Sequence, residues 1–145
     1  LRDGGRLPLG APCGPPAGAD AVPFAGPPVD ELVLPVVLGP RADWFAADAP
    51  RALAGGGYTV ASASNRIGLR TDGPALTRAR EGELPSEGMV LGAVQVPPDG
   101  RPVVFLADHP TTGGYPVIGV VPEPSLPAAA QAVPGTPVRF VPVRA

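Results

Sequence analysis

Between Glu83 and Gly119 the chain reads ELPSEGMVLGAVQVPPDGRPVVFLADHPTTGGYPVIG. Two strand-like apolar runs there are interrupted by Glu83 and Glu87, by the amide of Gln95, by the only histidine and by a Thr-Thr-Gly-Gly-Tyr-Pro loop. Strands do not need such polar groups, whereas a surface that holds a small polar molecule does. Two carboxylates a few residues apart can divide acid and base roles. Pairing with Arg70, Arg78 or Arg80 is the commoner fate for at least one of them. Gln95 lies between Val94 and Val96, so alternation turns it away from both. Facing inward, it must find hydrogen-bond partners or cost roughly 1–3 kcal/mol. A barrel mouth that binds an amide-like or urea-like group would satisfy it; facing outward, it is an ordinary solvated side chain.

Histidine is the side-chain type suited to proton transfer near neutrality, and His109 is the only one here, but no serine stands in a nucleophile-elbow context. Asp108, just past a strand end, is therefore the better site candidate. Gly113 and Gly114 permit positive φ and expose backbone N–H groups. With the hydroxyls of Thr111 and Thr112 they could form a nest for an anion or a carbonyl, and a plain glycine turn fits the spacing equally well. The Gly-Lys-Ser/Thr ending of a phosphate-binding loop is absent. Upstream, Ser64-Asn65-Arg66 reads as a tight turn, or as a place where a guanidinium forks onto a carboxylate or phosphate.

These residues need a scaffold, and the surrounding pattern is that of short strands. Strands are predicted over 31–38, 58–62, 66–71, 89–96, 102–107, 117–121 and 138–143. Asp99-Gly100 between two apolar runs marks a hairpin. Pro35 argues for an edge or a bulge. The one predicted helix spans 41–53, with Asp43 or Asp48 as its cap and the Gly55–Gly57 run as its stop. Trp44 and Phe45 are expected to be core anchors. A further helical turn fits 125–131. Short strands with almost no helix imply an all-β barrel or sandwich.

Composition narrows the function class. The 145 residues fit one domain with a real core. The 20 Gly and 23 Pro residues mostly flank the apolar runs, which favours a folded chain over a low-complexity one. A net charge of −2 offers no broad basic field to nucleic acid or anionic lipid. All the basic residues are Arg, a mark of codon bias, so an individual Arg carries little weight as a sign of function. A lone cysteine, Cys13, excludes an internal disulfide, and one His with one Cys makes a soft-metal site unexpected. No run reaches membrane-spanning length and no signal peptide is visible. Residues 1–10 read as a short hairpin around Asp3-Gly4-Gly5, and 11–28 as a Pro/Gly-rich linker. The expected division is 1–28, the end of a preceding subdomain plus leader, and 29–145, a barrel domain. Because the chain starts at Leu1 within what reads as strand and turn, a fragment of a longer protein is expected.

SNRIGLRTDGP, the long segment quoted above and PGTPVRFVPV together resemble the C-terminal half of the bacterial family of C-type 5-oxoprolinase subunits. That family is also called allophanate hydrolase subunit 2-like or biotin-dependent carboxyltransferase-like, and its domain recurs in urea carboxylase. The resemblance covers most of Leu34 to Val143. It implies a cyclophilin-like β-barrel beside a homologous B-type partner and a third lactam-utilisation protein, in the cytoplasm. It implies ATP-dependent hydrolysis of 5-oxo-L-proline to L-glutamate by the complex, with this chain inactive alone and binding no cofactor itself. The alternatives are a biotin-dependent carboxyltransferase acting on urea, whose biotin carrier would be another chain or domain, and a regulatory partner of a kinase-inhibitor-like protein. Carried over by motif, the substrate-binding residues are Asn65, Arg66, Glu87, Gln95, Asp108, Thr111, Thr112 and Tyr115; no catalytic residue or metal ligand is assigned. Two departures stand out: Pro110 where relatives often have Gln, and Val117 where many have Lys or Arg. Any cationic role at Val117 would then be vacant or fall to Arg66.

Overall fold

A computed structural model describes residues 2–11, 13–15, 26–28 and 30–144. Most of the predicted linker lies outside these residues. Around Asp3-Gly4 there is a turn, with the Gly5 N–H on the Arg2 carbonyl at 2.9 Å, but residues 2–11 form no strand and are exposed. The expected hairpin is thus a turn without a ladder. Its flanking residues bury nothing that would hold two strands together.

The strands are β1 (Leu32–Leu38), β2 (Tyr58–Val60), β3 (Gly68–Asp72), β4 (Glu87–Gly88), β5 (Ala93–Gln95), β6 (Val103–Phe105), β7 (Thr112–Gly113), β8 (Val117–Val120) and β9 (Pro137–Val143). Seven of them close a barrel in the order β1-β8-β5-β6-β3-β2-β9. Closure is completed by β9 running parallel to β1, from Leu32 against Val138 to Val37 against Val143. The other barrel pairs are antiparallel. Alternation sends Leu32, Leu34 and Val36 inward, to meet Tyr58, Val60, Leu69, Val94, Val104, Ile118, Val138 and Phe140. Tyr58 and Phe140 pack edge to face, their ring centroids 5.4 Å apart. Burial raises the pKa of the Tyr58 hydroxyl, which has no hydrogen-bond partner.

Pro35 is tolerated because β8 joins β1 only at Val37 and Leu38. The half of β1 that holds Pro35 has a strand on one side alone, where a missing N–H costs least. The predicted 41–53 helix divides into a 3-10 turn (Ala42–Trp44) and α1 (Ala49–Gly55). Pro50 lies in the first turn of α1, where its absent N–H was never going to be bonded. Asp48 holds the N-cap position without a side-chain cap bond. Phe45 is buried in the core and Trp44 packs against it. The 125–131 segment is a second helix, α2 (Leu126–Gln131), so the described residues carry two short α-helices rather than one. Leu126 and Ala129 tie α2 to the core.

The predicted 89–96 strand starts only at Ala93. Gly92 adopts φ +81, and a methyl there would run into the Val121 carbonyl oxygen. Its own N–H meets the Phe105 carbonyl at 2.9 Å, and its carbonyl accepts from the Val121 N–H at 2.8 Å. This bend ends one course of chain and begins another, and only glycine fits it. In the full-length protein, Gly92→Ala is expected to lower unfolding free energy by about 2 kcal/mol or more. Urea titration measures this, and an unchanged midpoint would contradict the assigned backbone.

Candidate functional site

A row of residues crosses the outside of the barrel. The Arg41 N–H bonds the Val117 carbonyl at 3.1 Å, Val117 pairs with Gln95, Gln95 with Val103, and Val103 with Arg70. Laterally paired residues share a face, so Gln95 and its row point away from the core. Ala93, Val103, Phe105 and Val117 form a second apolar cluster on this outer face, with Met89. The two-stranded β4–β7 ribbon lies against it, pairing Glu87 with Gly113 and Gly88 with Thr112.

Gln95 is the centre of this arrangement. It is 7 % exposed, under the ribbon rather than in the barrel mouth. Its amide donates to the Tyr115 carbonyl at 3.3 Å and approaches the Met89 Sδ at 3.8 Å. Both neighbours are acceptors, which fixes the NH₂ toward them. No described residue donates to Oε1. The ribbon can come this close because residue 113 has no side chain: a Cβ there would lie 2.8 Å from Gln95 Nε2 and 3.3 Å from Met89 Cγ. Neither Gly113 nor Gly114 has positive φ. Their use is close approach, not the left-handed turn that the pair of glycines suggested.

Glu87 clasps the ribbon to the barrel. Arg41 Nε donates to Glu87 Oε2 at 3.1 Å while Nη2 binds Oε1, a two-pronged contact between half-buried side chains. The expected partners for Glu87 were Arg70, Arg78 and Arg80. The real one stands 46 positions away, brought over by the backbone bond to Val117. The hydrogen bond from Arg41 holds the Glu87 carboxyl below its ordinary value near 4.5, and the same bond raises Arg41. Glu87 is thus a charged anchor near neutrality rather than half of an acid–base pair, and Glu83 is exposed.

Thr111 and Thr112 are exposed on the loop and on β7; the Thr111 carbonyl accepts from the Met89 N–H at 2.9 Å. Tyr115 is half-buried, with the Arg78 guanidinium 5.9 Å from its ring centroid. Arg78, which sequence reasoning offered only as an ion-pair partner, is part of this neighbourhood. Its signal was adjacency to the strand end, visible only once the chain is folded.

Asn65, Arg66 and Asp108 form a second neighbourhood at one end of the barrel. They line a hollow of about 320 Å³ with Leu106, Ala107 and Ala130. Asn65 Oδ1 accepts from the Ile67 N–H at 2.9 Å, the turn geometry expected of Ser-Asn. Arg66 Nη2 lies 3.1 Å from Asp108 Oδ2, on the surface. Its partner is thus another residue of this chain, and the arginine whose backbone N–H bonds the Val117 carbonyl is Arg41. His109 stacks on Phe105, with ring centroids 6.3 Å apart, and bridges the two neighbourhoods along the 106–111 loop. The candidate residues thus fall in two adjoining places: Glu87, Gln95, Thr112 and Tyr115 at the ribbon, with Thr111 at its edge, and Asn65, Arg66 and Asp108 at the barrel end. Among the described residues no three His, Cys, Asp or Glu side chains gather as a metal would need. None of their helices is long and apolar enough to cross a membrane.

The chain belongs to the carboxyltransferase domain family, subdomains A and B, whose model matches residues 1–142. It is 35 % identical to the C-type 5-oxoprolinase subunit of Escherichia coli (strain K12) over 145 residues, covering 97 % of this chain and 44 % of that protein. With the C-type 5-oxoprolinase subunit of Haemophilus influenzae it shares 41 % over 83 residues, 57 % of this chain and 27 % of that one. Among solved structures, Kluyveromyces lactis urea carboxylase superposes with a TM-score of 0.74 at 26 % identity, covering 80 % of this chain and 11 % of that one. The chain therefore spans less than half the length of these relatives.

Two outcomes follow from the ribbon. Gly113→Ala is expected to cost about 1–3 kcal/mol through overpacking. Gly114→Ala, whose methyl would meet only the Leu84 carbonyl at 3.2 Å, should cost less; equal urea midpoints for the two variants would contradict the packing. The Arg41–Glu87 clasp stabilises the fold while Glu87 is charged, above its ordinary pKa, and that contribution is lost as pH falls through the lowered folded-state value. The stability gap between the natural protein and Glu87→Gln should be present at neutral pH and close in acid. A gap that persists unchanged in acid would remove the clasp as its source.

Proposed function

We propose that this chain is part of the C-type component of a multi-subunit, ATP-dependent 5-oxoprolinase, and that the Gln95 ribbon site binds the lactam. The observation that carries the reading is the buried amide. A glutamine whose NH₂ is spent on Tyr115 and Met89 keeps Oε1 free of described donors, so it can accept the N–H of a small amide-bearing molecule. Relatives of both kinds match: C-type 5-oxoprolinase subunits at 35 % and 41 % identity, which support this reading, and urea amidolyases at 34 % and 37 %.

In this reading the chain supplies orientation rather than a nucleophile. Lactam opening breaks the ring C–N bond and adds water across it, giving an amine and a carboxylate; a fixed acceptor on the lactam N–H holds the ring for that step. ATP is used by companion subunits, and a B-type partner and a third protein complete the assembly. The second reading, carboxyl transfer from biotin to urea, rests on the shared family and on the urea carboxylase likeness. It needs a biotinylated carrier.

The test is turnover by the full-length protein assembled with its companion subunits. The expected result is 5-oxoproline hydrolysis that requires ATP and every component. Gln95→Ala, with folding checked by circular dichroism, should lower turnover at least about tenfold, or ~1.4 kcal/mol. Biotin-dependent carboxylation of urea would overturn the hydrolase reading, and unchanged kinetics would remove Gln95.

A further inference from the structure

Arg41, Arg66, Arg80, Arg101 and Arg139 each lie on a carboxylate. Arg2, Arg6, Arg51, Arg70 and Arg144 are exposed, where water solvates the charge. Arg78 is different: among the described residues it is a half-buried arginine with no carboxylate at ion-pair distance. Its guanidinium is nevertheless fixed. Nη2 donates to the Val96 carbonyl at 2.6 Å and Nη1 to the Gly82 carbonyl at 3.3 Å, and the Tyr115 ring stands 5.9 Å away. Nε–H is buried and has no acceptor. Removing a cation from water without a counter-charge is costly, and so is an orphaned donor.

The arginine is also beside the ribbon site. Val96 follows Gln95 on the chain, and its N–H bonds the Pro116 carbonyl at 3.0 Å. Tyr115 joins the two groups: its carbonyl takes the Gln95 amide while its ring faces the Arg78 guanidinium. At 5.9 Å the ring is at the outer limit of cation–π range, a weak contact that an anion outcompetes. The Nε–Nη2 edge of a guanidinium matches a carboxylate in two-pronged geometry, and Nη2 keeps a second proton after bonding Val96.

We infer that Arg78 is a carboxylate subsite, so that the ribbon site takes a small amide that also carries a carboxylate, and discriminates against neutral amides such as urea. This rests on the reading that the Gln95 site binds an amide. It adds which amides are accepted and which residue decides.

Binding by the full-length protein tests this without any turnover. The probes are 5-oxoproline, 2-pyrrolidinone (the same lactam without the carboxylate) and urea, titrated by calorimetry and by NMR of the arginine Nε–H resonances. The acid should bind at least about tenfold tighter than 2-pyrrolidinone and should shift the Arg78 Nε–H. Arg78→Gln should abolish that preference, the acid and 2-pyrrolidinone then binding within about twofold of each other; Arg78→Lys, which keeps charge but not the fork, should restore part of it. Thermal melts establish that both variants fold. Equal binding of acid and neutral lactam, a preference for urea, binding of none of the three, or a preference that survives Arg78→Gln would each overturn the subsite. A missing 5-oxoprolinase turnover in the assembled complex, with carboxylate preference intact, would instead count against the hydrolase reading alone.

Discussion

The candidate site depends on one close contact, that of a side-chain-free residue with a buried amide. Gln95 projects from the outside of a barrel, where an amide would ordinarily meet water. The β4–β7 ribbon covers it, and can do so only because Gly113 places no atom between the ribbon backbone and the Gln95 amide. Once covered, the amide NH₂ needs acceptors, and Tyr115 and Met89 supply them. The two ends of the ribbon arrangement are then set: Tyr115 by the hydrogen bond, and Glu87 by Arg41. Each part of the site is thus fixed by a contact that another part supplies.

This explains why the outer face of β5, β6 and β8 is as apolar as the inner one. A barrel strand with one face in water alternates polar and apolar residues. Here Ala93, Val103, Phe105 and Val117 lie beneath the ribbon and Met89, so both faces are buried. A single polar residue inside such a double-sided burial is expensive and narrowly placed. That cost is why Gln95, rather than the exposed threonines, organises the neighbourhood.

The barrel was largely legible in the sequence, because short apolar runs such as LVLPVVL stand between turn formers and Pro-Pro-Asp-Gly marks its own turn. α2 was readable as a helical turn, but not as a full helix, since six residues give little periodicity. The side to which Gln95 points was not legible: with Val94 and Val96 inside and apolar neighbours outside, alternation separates the faces without naming them. The ribbon escaped detection because two-residue strands have no period at all. Arg41 escaped because its link to Glu87 spans 46 positions, and no local pattern encodes such a distance. The placement of Asn65, Arg66 and Asp108 at the barrel end, apart from the ribbon, likewise depends on how the strands close. Among glycines, sequence reveals conformational freedom and close approach with the same letter; at 113 the second was meant.

The parallel seam between β1 and β9 has a bearing on how the molecule is made. Leu32 lies beside Val138, so the first barrel strand to leave the ribosome waits for the last. Throughout that interval one flank of β1 is an unmated edge, apolar and open to association with other nascent chains. The barrel therefore closes only once β9 is in place, and Glu31 at the seam's rim, which meets Arg139 at 2.8 Å when the strands are mated, is a polar guard of that edge while it stands alone.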